Sequence, residues 1–104
     1  MTIKLISRFL GNINQPSRLE ILLAIGEGEA CVCHLEALLE YRQAYISQHL
    51  MALRKAGLLK TRRDGRYVFY RIQNLQLLTL IQMAGEIVNV PSLEMAPRGA
   101  NPLP

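Results

Sequence analysis

Cysteine is scarce in this chain of 104 residues: there are two, Cys31 and Cys33, one residue apart. That supply excludes the disulfide framework of a small secreted protein and points to a reducing cytoplasm. Long apolar runs are missing too. No stretch approaches the ~20 residues that a membrane-crossing helix needs, so no membrane partner is expected. The first residues, MTIKLISRFLGNINQ, lack the apolar core and small-residue cleavage site of a secretory signal. There is no C-x-x-C motif and no base evidently positioned beside a nucleophile. This argues against a thiol enzyme, and no organic cofactor is expected. Proline is nearly absent before residue 91, and four of the five prolines fall in residues 91–104. One folded domain over residues 1–90 and a flexible tail over 91–104 are expected.

Acidic residues are nearly absent from one block. Residues 42–71 hold Arg42, Arg54, Lys55, Lys60, Arg62, Arg63, Arg66 and Arg71 against Asp64 alone, a net +7, while the rest of the chain nets −3. A basic block inside a domain that is 50% hydrophobic suggests a polyanionic partner, with nucleic acid ahead of a membrane surface. A merely solvated charged face is the alternative, and the neighbouring elements decide between them.

Ile3, Ile6, Phe9, Leu10 and Ile13 form a helical stripe. Gln15-Pro16-Ser17 restarts the chain, since proline in a first helical turn leaves no bond unmade. The helix over residues 16–25 is apolar on most sides and stops at Gly26 and Gly28. Ala30-Cys31-Val32-Cys33 reads as a short extended stretch. A short helix follows, with Leu35, Leu38 and Leu39 on one face. Residues 43–56 form a longer helix whose core stripe is Ile46, Leu50 and Leu53, with Gly57 closing it. Leu58 to Ile72 reads as two strands around Asp64-Gly65, a strong hairpin signal. Asn74 caps a last helix to about residue 89, with Leu77, Leu78, Leu80, Ile81, Ala84, Ile87 and Val88 inside it. The fold expected is mainly α with a small β-hairpin: two helices joined by a tight turn and followed by a basic wing, a winged helix-turn-helix.

At about 100° per residue, the face opposite the core stripe of the second of these helices carries Ala44, Gln48, Met51 and Lys55. Ser47 and Arg54 lie on one flank, Tyr45 and Ala52 on the other. Short side chains near the helix start suit entry into a major groove. Gln43, Ser47 and Gln48 are base-contact candidates, the Gln48 amide matching the N6/N7 edge of adenine. Tyr45 is placed to stack on sugar or touch a thymine methyl. His49 reads as a packed, hydrogen-bonded histidine or a phosphate contact. Arg62, Arg63 and Arg66 surround the hairpin tip, where they supply affinity and salt dependence more than sequence choice.

These residues resemble the ArsR/SmtB family. The likeness runs through Pro16-Ser17-Arg18-Leu19-Glu20-Ile21-Leu22, Ala30-Cys31-Val32-Cys33-His34-Leu35, Ser47-Gln48-His49-Leu50, Leu53-Arg54-Lys55-Ala56-Gly57-Leu58 and Arg63-Asp64-Gly65-Arg66-Tyr67-Val68-Phe69-Tyr70-Arg71. It implies a cytoplasmic homodimeric repressor, paired through its first and last helices, that binds double-stranded operator DNA and leaves it when a metal or metalloid binds. Two positions depart from the family pattern at the DNA site. Arg42 stands where serine is common before the recognition helix, and is a poor cap better suited to a phosphate contact. Glu40 stands where a small turn residue is usual.

In an extended chain Cys31 and Cys33 lie about 6.6–7 Å apart on one face, too far for an easy disulfide, whose Cβ atoms sit about 3.8 Å apart. They also sit at a helix N-terminus, which favours thiolate. The resemblance assigns metal binding to this C-V-C pair, with His34, Glu36, a water, an exogenous thiol or a partner-subunit group completing the set. The third cysteine of arsenic-responsive members is replaced by Glu36, and the last helix lacks the Asp and His of the family's other site. Two thiolates with one more ligand suit As(III) or Sb(III), the favoured inducers. Adding His34 and a carboxylate suits Cd(II) or Zn(II), and two thiolates alone suit Cu(I) or Hg(II). A winged-helix regulator that responds to thiol oxidation, or that has no metal effector, is the alternative.

Overall fold

Pro16 occupies the first turn of a helix whose preceding residue, Gln15, is extended (φ −86°, ψ 135°), so the first two helices meet at a sharp corner. The computed structural model describes residues 2–90. The elements are α1 (Thr2–Ile13), α2 (Pro16–Ile25), β1 (Glu29–Ala30), α3 (Val32–Leu39), α4 (Gln43–Lys55), β2 (Leu59–Asp64), β3 (Tyr67–Ile72) and α5 (Gln76–Ile87). This is the expected winged helix-turn-helix order. The expected flexible tail, residues 91–104, lies outside the described residues.

One core joins all the helices. Ile21, Leu22 and Ile25 of α2 are fully buried with Leu35 of α3 and Ile46, Leu50 and Leu53 of α4. The expected α4 stripe is therefore the core stripe. Ile13, Leu59, Ile72, Leu77, Leu78 and Ile81 close the cluster from α1, the hairpin and α5. Gly26 ends α2 at φ 59°, its N–H donating to the Leu22 carbonyl, a conformation that glycine adopts without a Cβ clash.

The β-strands form a three-stranded antiparallel sheet in the order β1-β3-β2. Glu29 and Lys60 both pair with Arg71, and Arg62 pairs with Phe69. Asp64 pairs with Tyr67, which makes Gly65-Arg66 the two-residue loop. The hairpin thus turns one residue later than Asp64-Gly65 suggests. Gly65 has φ 66° and Arg66 does not share a positive φ, the pattern of a turn with glycine at its first central position.

Three helix details differ from the sequence expectation. Residues 30–33 are not one extended stretch. The strand ends at Ala30, Cys31 is the extended N-cap of α3 (φ −95°, ψ 171°), and Val32 and Cys33 are already helical. Leu38 is exposed while Leu35 is buried, so the short helix turns a narrower apolar face inward. The last helix starts at Gln76, and Asn74 Oδ1 accepts from the Gln76 N–H at 2.9 Å, so Asn74 stabilises the entry from two residues ahead. Ile87 and Val88 are exposed at its end.

Candidate nucleic-acid interface

Burying Ile46, Leu50 and Leu53 leaves the rest of α4 for solvent. Arg42, Gln43, Ala44, Gln48, Met51, Arg54 and Lys55 are exposed, and Ser47 is half-buried on the flank. Arg42 gives the helix no side-chain cap, as its chemistry requires. Glu40 solves the turn before α4 in the left-handed region (φ 60°, ψ 28°), its N–H donating to the Glu36 carbonyl at 2.9 Å.

Tyr45 is committed inward on one side. Its hydroxyl hydrogen-bonds Ser17 Oγ at 2.6 Å, and its ring packs on Tyr41 and edge-on to His49. His49 Nδ1 accepts from Arg18 Nε at 2.9 Å, so this histidine is the packed, hydrogen-bonded residue of the two readings. Burial first, and then the Arg18 charge, hold its pKa below the ordinary 6.5. Tyr41 donates to Glu20. A polar seam therefore joins α2 to α4. Sequence reasoning missed Arg18 in this role. The signal available was a serine and an arginine at the start of a helix otherwise apolar on most sides.

The wing arginines are not equivalent. Arg63 and Arg66 are exposed at the tip, with the Arg66 guanidinium 5.6 Å from the Tyr67 ring centroid. Arg62 instead lies over Phe69 at 4.7 Å and is ion-paired with Glu29, Nε to Oε1 at 3.1 Å, with Asp64 at 3.7 Å on its other side. The hydrogen bond from Arg62 lowers the Glu29 pKa below its usual value. Arg62 and Arg63 also leave opposite faces of β2, since successive side chains alternate. Arg62 is thus set apart from the tip pair.

The cysteines are closer than an extended chain puts them. Helix entry at Val32 brings their Cα atoms to 5.4 Å, inside the range disulfides span, and the structure pairs their sulfurs. This corrects the expectation that they are too far apart for an easy disulfide. Cys31 is buried and Cys33 exposed, and the His34 N–H donates to Cys31 Sγ at 3.4 Å. Burial lowers the His34 pKa. Among the described residues no three of His, Cys, Asp or Glu come together as a metal-binding group. When reduced, the pair offers a thiophilic ion two donors, and no third donor is already grouped with them among the described residues.

Among the described residues, no helix is long and apolar enough to cross a membrane. Residues 15–61 match the family described as bacterial regulatory protein, arsR family. The chain is 37% identical over 93 residues to the arsenic resistance transcriptional regulator ArsR1 of Pseudomonas putida, covering 83% of this chain and 72% of that one. It is 33% identical over 79 residues to the cadmium resistance transcriptional regulatory protein CadC of Listeria innocua, covering 75% of this chain and 66% of that one. The crystal structure of NolR from Sinorhizobium fredii superposes with a TM-score of 0.76 at 28% identity, covering 86% of this chain and 90% of that one.

Proposed function

The chain belongs to the arsR family of bacterial regulatory proteins, a DNA-binding transcription regulator rather than an enzyme, and from this premise we propose a cytoplasmic homodimeric repressor with a thiol-gated grip on operator DNA. The observation that carries it is the outer face of α4. It is free of core duties, carries amides and short side chains at its start, and continues into cationic side chains at its end and on the wing. Gln43, Ala44, Tyr45, Ser47 and Gln48 face the bases and sugars of the major groove. Arg42, Arg54, Lys55, Arg63 and Arg66 bind phosphate, and Arg62 supports the wing from its pair with Glu29.

Cys31 and Cys33 hold the inducer when reduced, As(III) or Sb(III) ahead of Cd(II) or Zn(II), with His34 as the nearest further donor in sequence. A thiophilic ion held there would tie the Cys31 and Cys33 thiolates at the start of α3. Because α3 packs on α4, closing that start favours a placement of α4 that no longer matches both half-sites. Linkage then requires inducer and DNA to weaken each other by the same factor.

The cysteine geometry favours a second reading, in which the same grip answers to oxidation. A peroxide would convert the two thiols to one disulfide with release of two waters, and a Cα separation of 5.4 Å suits that product. One titration separates the readings. Fluorescence anisotropy of the reduced protein on its own upstream DNA is followed against As(III), Sb(III), Cd(II), Zn(II) and hydrogen peroxide. Release by one ion, lost in Cys31→Ser and Cys33→Ser, supports the metal-gated repressor and names its signal. Release by peroxide alone moves the pair to redox sensing. Tight binding with no release refutes both gates and leaves the DNA-binding reading intact.

A further inference from the structure

Arg18 touches two helices besides its own. Its Nε donates to His49 Nδ1 of α4 at 2.9 Å, and its Nη1 donates to the Asn12 carbonyl in the last turn of α1 at 3.0 Å. Asn12 O is among the carbonyls that a helix C-terminus leaves without an intrahelical donor. On the preceding residue, the Ser17 hydroxyl is hydrogen-bonded to that of Tyr45 of α4 at 2.6 Å. Apolar burial as such is non-directional, and interdigitated side chains still leave helix crossing angles a scatter of about 15–20°. A hydrogen bond from a charged, planar donor fixes both distance and angle. Arg18 therefore clamps α1 to α4 at the corner where the chain turns into α2.

The clamp connects two surfaces of different kinds. The outward side of α1 carries Ile3, Ile6 and Leu10, all exposed in the protomer. The outward side of α4 is the candidate groove-reading face. We propose that Arg18 is a positioning residue, which fixes the recognition helix relative to the dimer-forming helix and so sets the half-site spacing the protein accepts. The inference rests on the DNA-binding homodimer reading and deepens it.

In a two-fold dimer, any tilt of α4 against α1 occurs twice, with opposite sense at the two half-sites. Half-sites lie about 34 Å apart, while base hydrogen bonds tolerate only a few tenths of an ångström around 2.7–3.2 Å (order of magnitude). Losing the clamp therefore costs base contacts first. Attraction between phosphates and basic side chains is far less dependent on geometry and survives. Arg18 itself is half-buried with two of its donor nitrogens occupied, which suits a clamp better than a phosphate contact.

The test uses a palindromic duplex selected by the wild-type protein from a random library, the same duplex with its spacer lengthened by one base pair, and calf-thymus DNA as the non-specific probe. Affinities are read by anisotropy for wild type, Arg18→Met, His49→Leu, the double variant and His49→Asn, whose Oδ1 stands in for Nδ1 as acceptor. Oligomeric state is checked by sedimentation. Arg18→Met and His49→Leu should each lose about tenfold or more on the selected duplex, and should lose the preference for the original spacer. Both should stay dimeric with calf-thymus binding unchanged. The double variant should be no weaker than either single one, and His49→Asn should keep wild-type discrimination.

Equal loss on the selected and calf-thymus DNA would overturn the proposal in favour of a direct phosphate contact. A lower melting temperature with spacer preference intact would reduce Arg18 to a stabilising role and overturn it too. If Arg18→Met does not fold, His49→Leu and His49→Asn decide alone. A wild-type protein that selects no duplex overturns the DNA-binding reading before any variant is compared, and this inference with it.

Discussion

The hairpin shows how a count of charges misleads when partners are ignored. Three arginines flank one turn in the sequence, yet Arg62 is held by Glu29 across the sheet and by Asp64 beside it. Arg63 and Arg66 have no such partner among the described residues. Each phosphate contact contributes about one to the slope of log affinity against log salt. Arg63→Ala and Arg66→Ala should therefore each flatten that slope by about one, while Arg62→Ala leaves it nearly unchanged. Anisotropy between roughly 50 and 200 mM salt reads this directly. A flattening of the same size in Arg62→Ala would show that its pair with Glu29 opens on DNA. His49 makes a second claim at this scale. Arg18 from α2 and Tyr45 from its own helix face it, and its pKa is lowered in the folded protein. The unfolded chain thus binds the proton more readily, so stability from neutral His49 is full above about pH 6.5 and is lost as pH falls through the lowered value. The urea midpoint of wild type should fall further than that of His49→Asn between about pH 7.5 and about pH 5.

At the scale of elements, the turn between α3 and α4 carries the clearest local conflict. Glu40 sits at φ 60°, where a Cβ meets the following carbonyl. Glu40→Gly should stabilise the protein by about 1 kcal/mol, seen as a higher urea midpoint at unchanged slope. A lower midpoint would mean that glycine's extra freedom in the unfolded chain outweighs the relieved strain. That turn was legible as a turn because the apolar period breaks there, and α2 and α4 were legible because Ile46, Leu50 and Leu53 repeat at helical spacing while Pro16 and Gly26 mark ends. Cys31 and Cys33 were misjudged because β1 stops at Ala30 and α3 starts at Val32. A single residue of helix changes their spacing, and cysteine is not a cap that a pattern announces. The hairpin loop moved by one residue for a similar reason: both Asp64-Gly65 and Gly65-Arg66 satisfy turn preferences, and register across the sheet decides. The Arg18–His49 bond joins residues far apart in sequence, so no periodicity reports it. The candidate reading face was therefore more legible than the seam behind it.

At the scale of the molecule, the protomer leaves apolar surface that its own core does not use. Ile3, Leu5, Ile6 and Leu10 are exposed on α1, and Leu80, Met83, Ile87 and Val88 at α5. Phe9 of α1 and Leu77 and Leu80 of α5 line one open pocket of about 500 Å³, so the two helices approach each other at that point. Large apolar side chains exposed in number on two helices are costly in water and mark candidate interfaces. In the proposed homodimer a second copy of the same chain would cover this surface, since an isologous contact pairs a surface with itself. Leu10→Glu and Met83→Glu each place a charge where that pairing would bury it without a partner, a cost of several kcal/mol in the dimer and almost none in the protomer. Sedimentation at micromolar concentration should therefore show a dimer for the wild type and a folded monomer for each variant, with the far-ultraviolet circular dichroism unchanged. DNA affinity should fall steeply with the loss of the second recognition helix, because a monomer no longer gains from binding the second half-site within one complex. Residual binding should keep the dependence on Arg63 and Arg66 and lose the dependence on half-site spacing. A variant that stays dimeric would move the interface elsewhere, and would also detach spacing from the placement of α1.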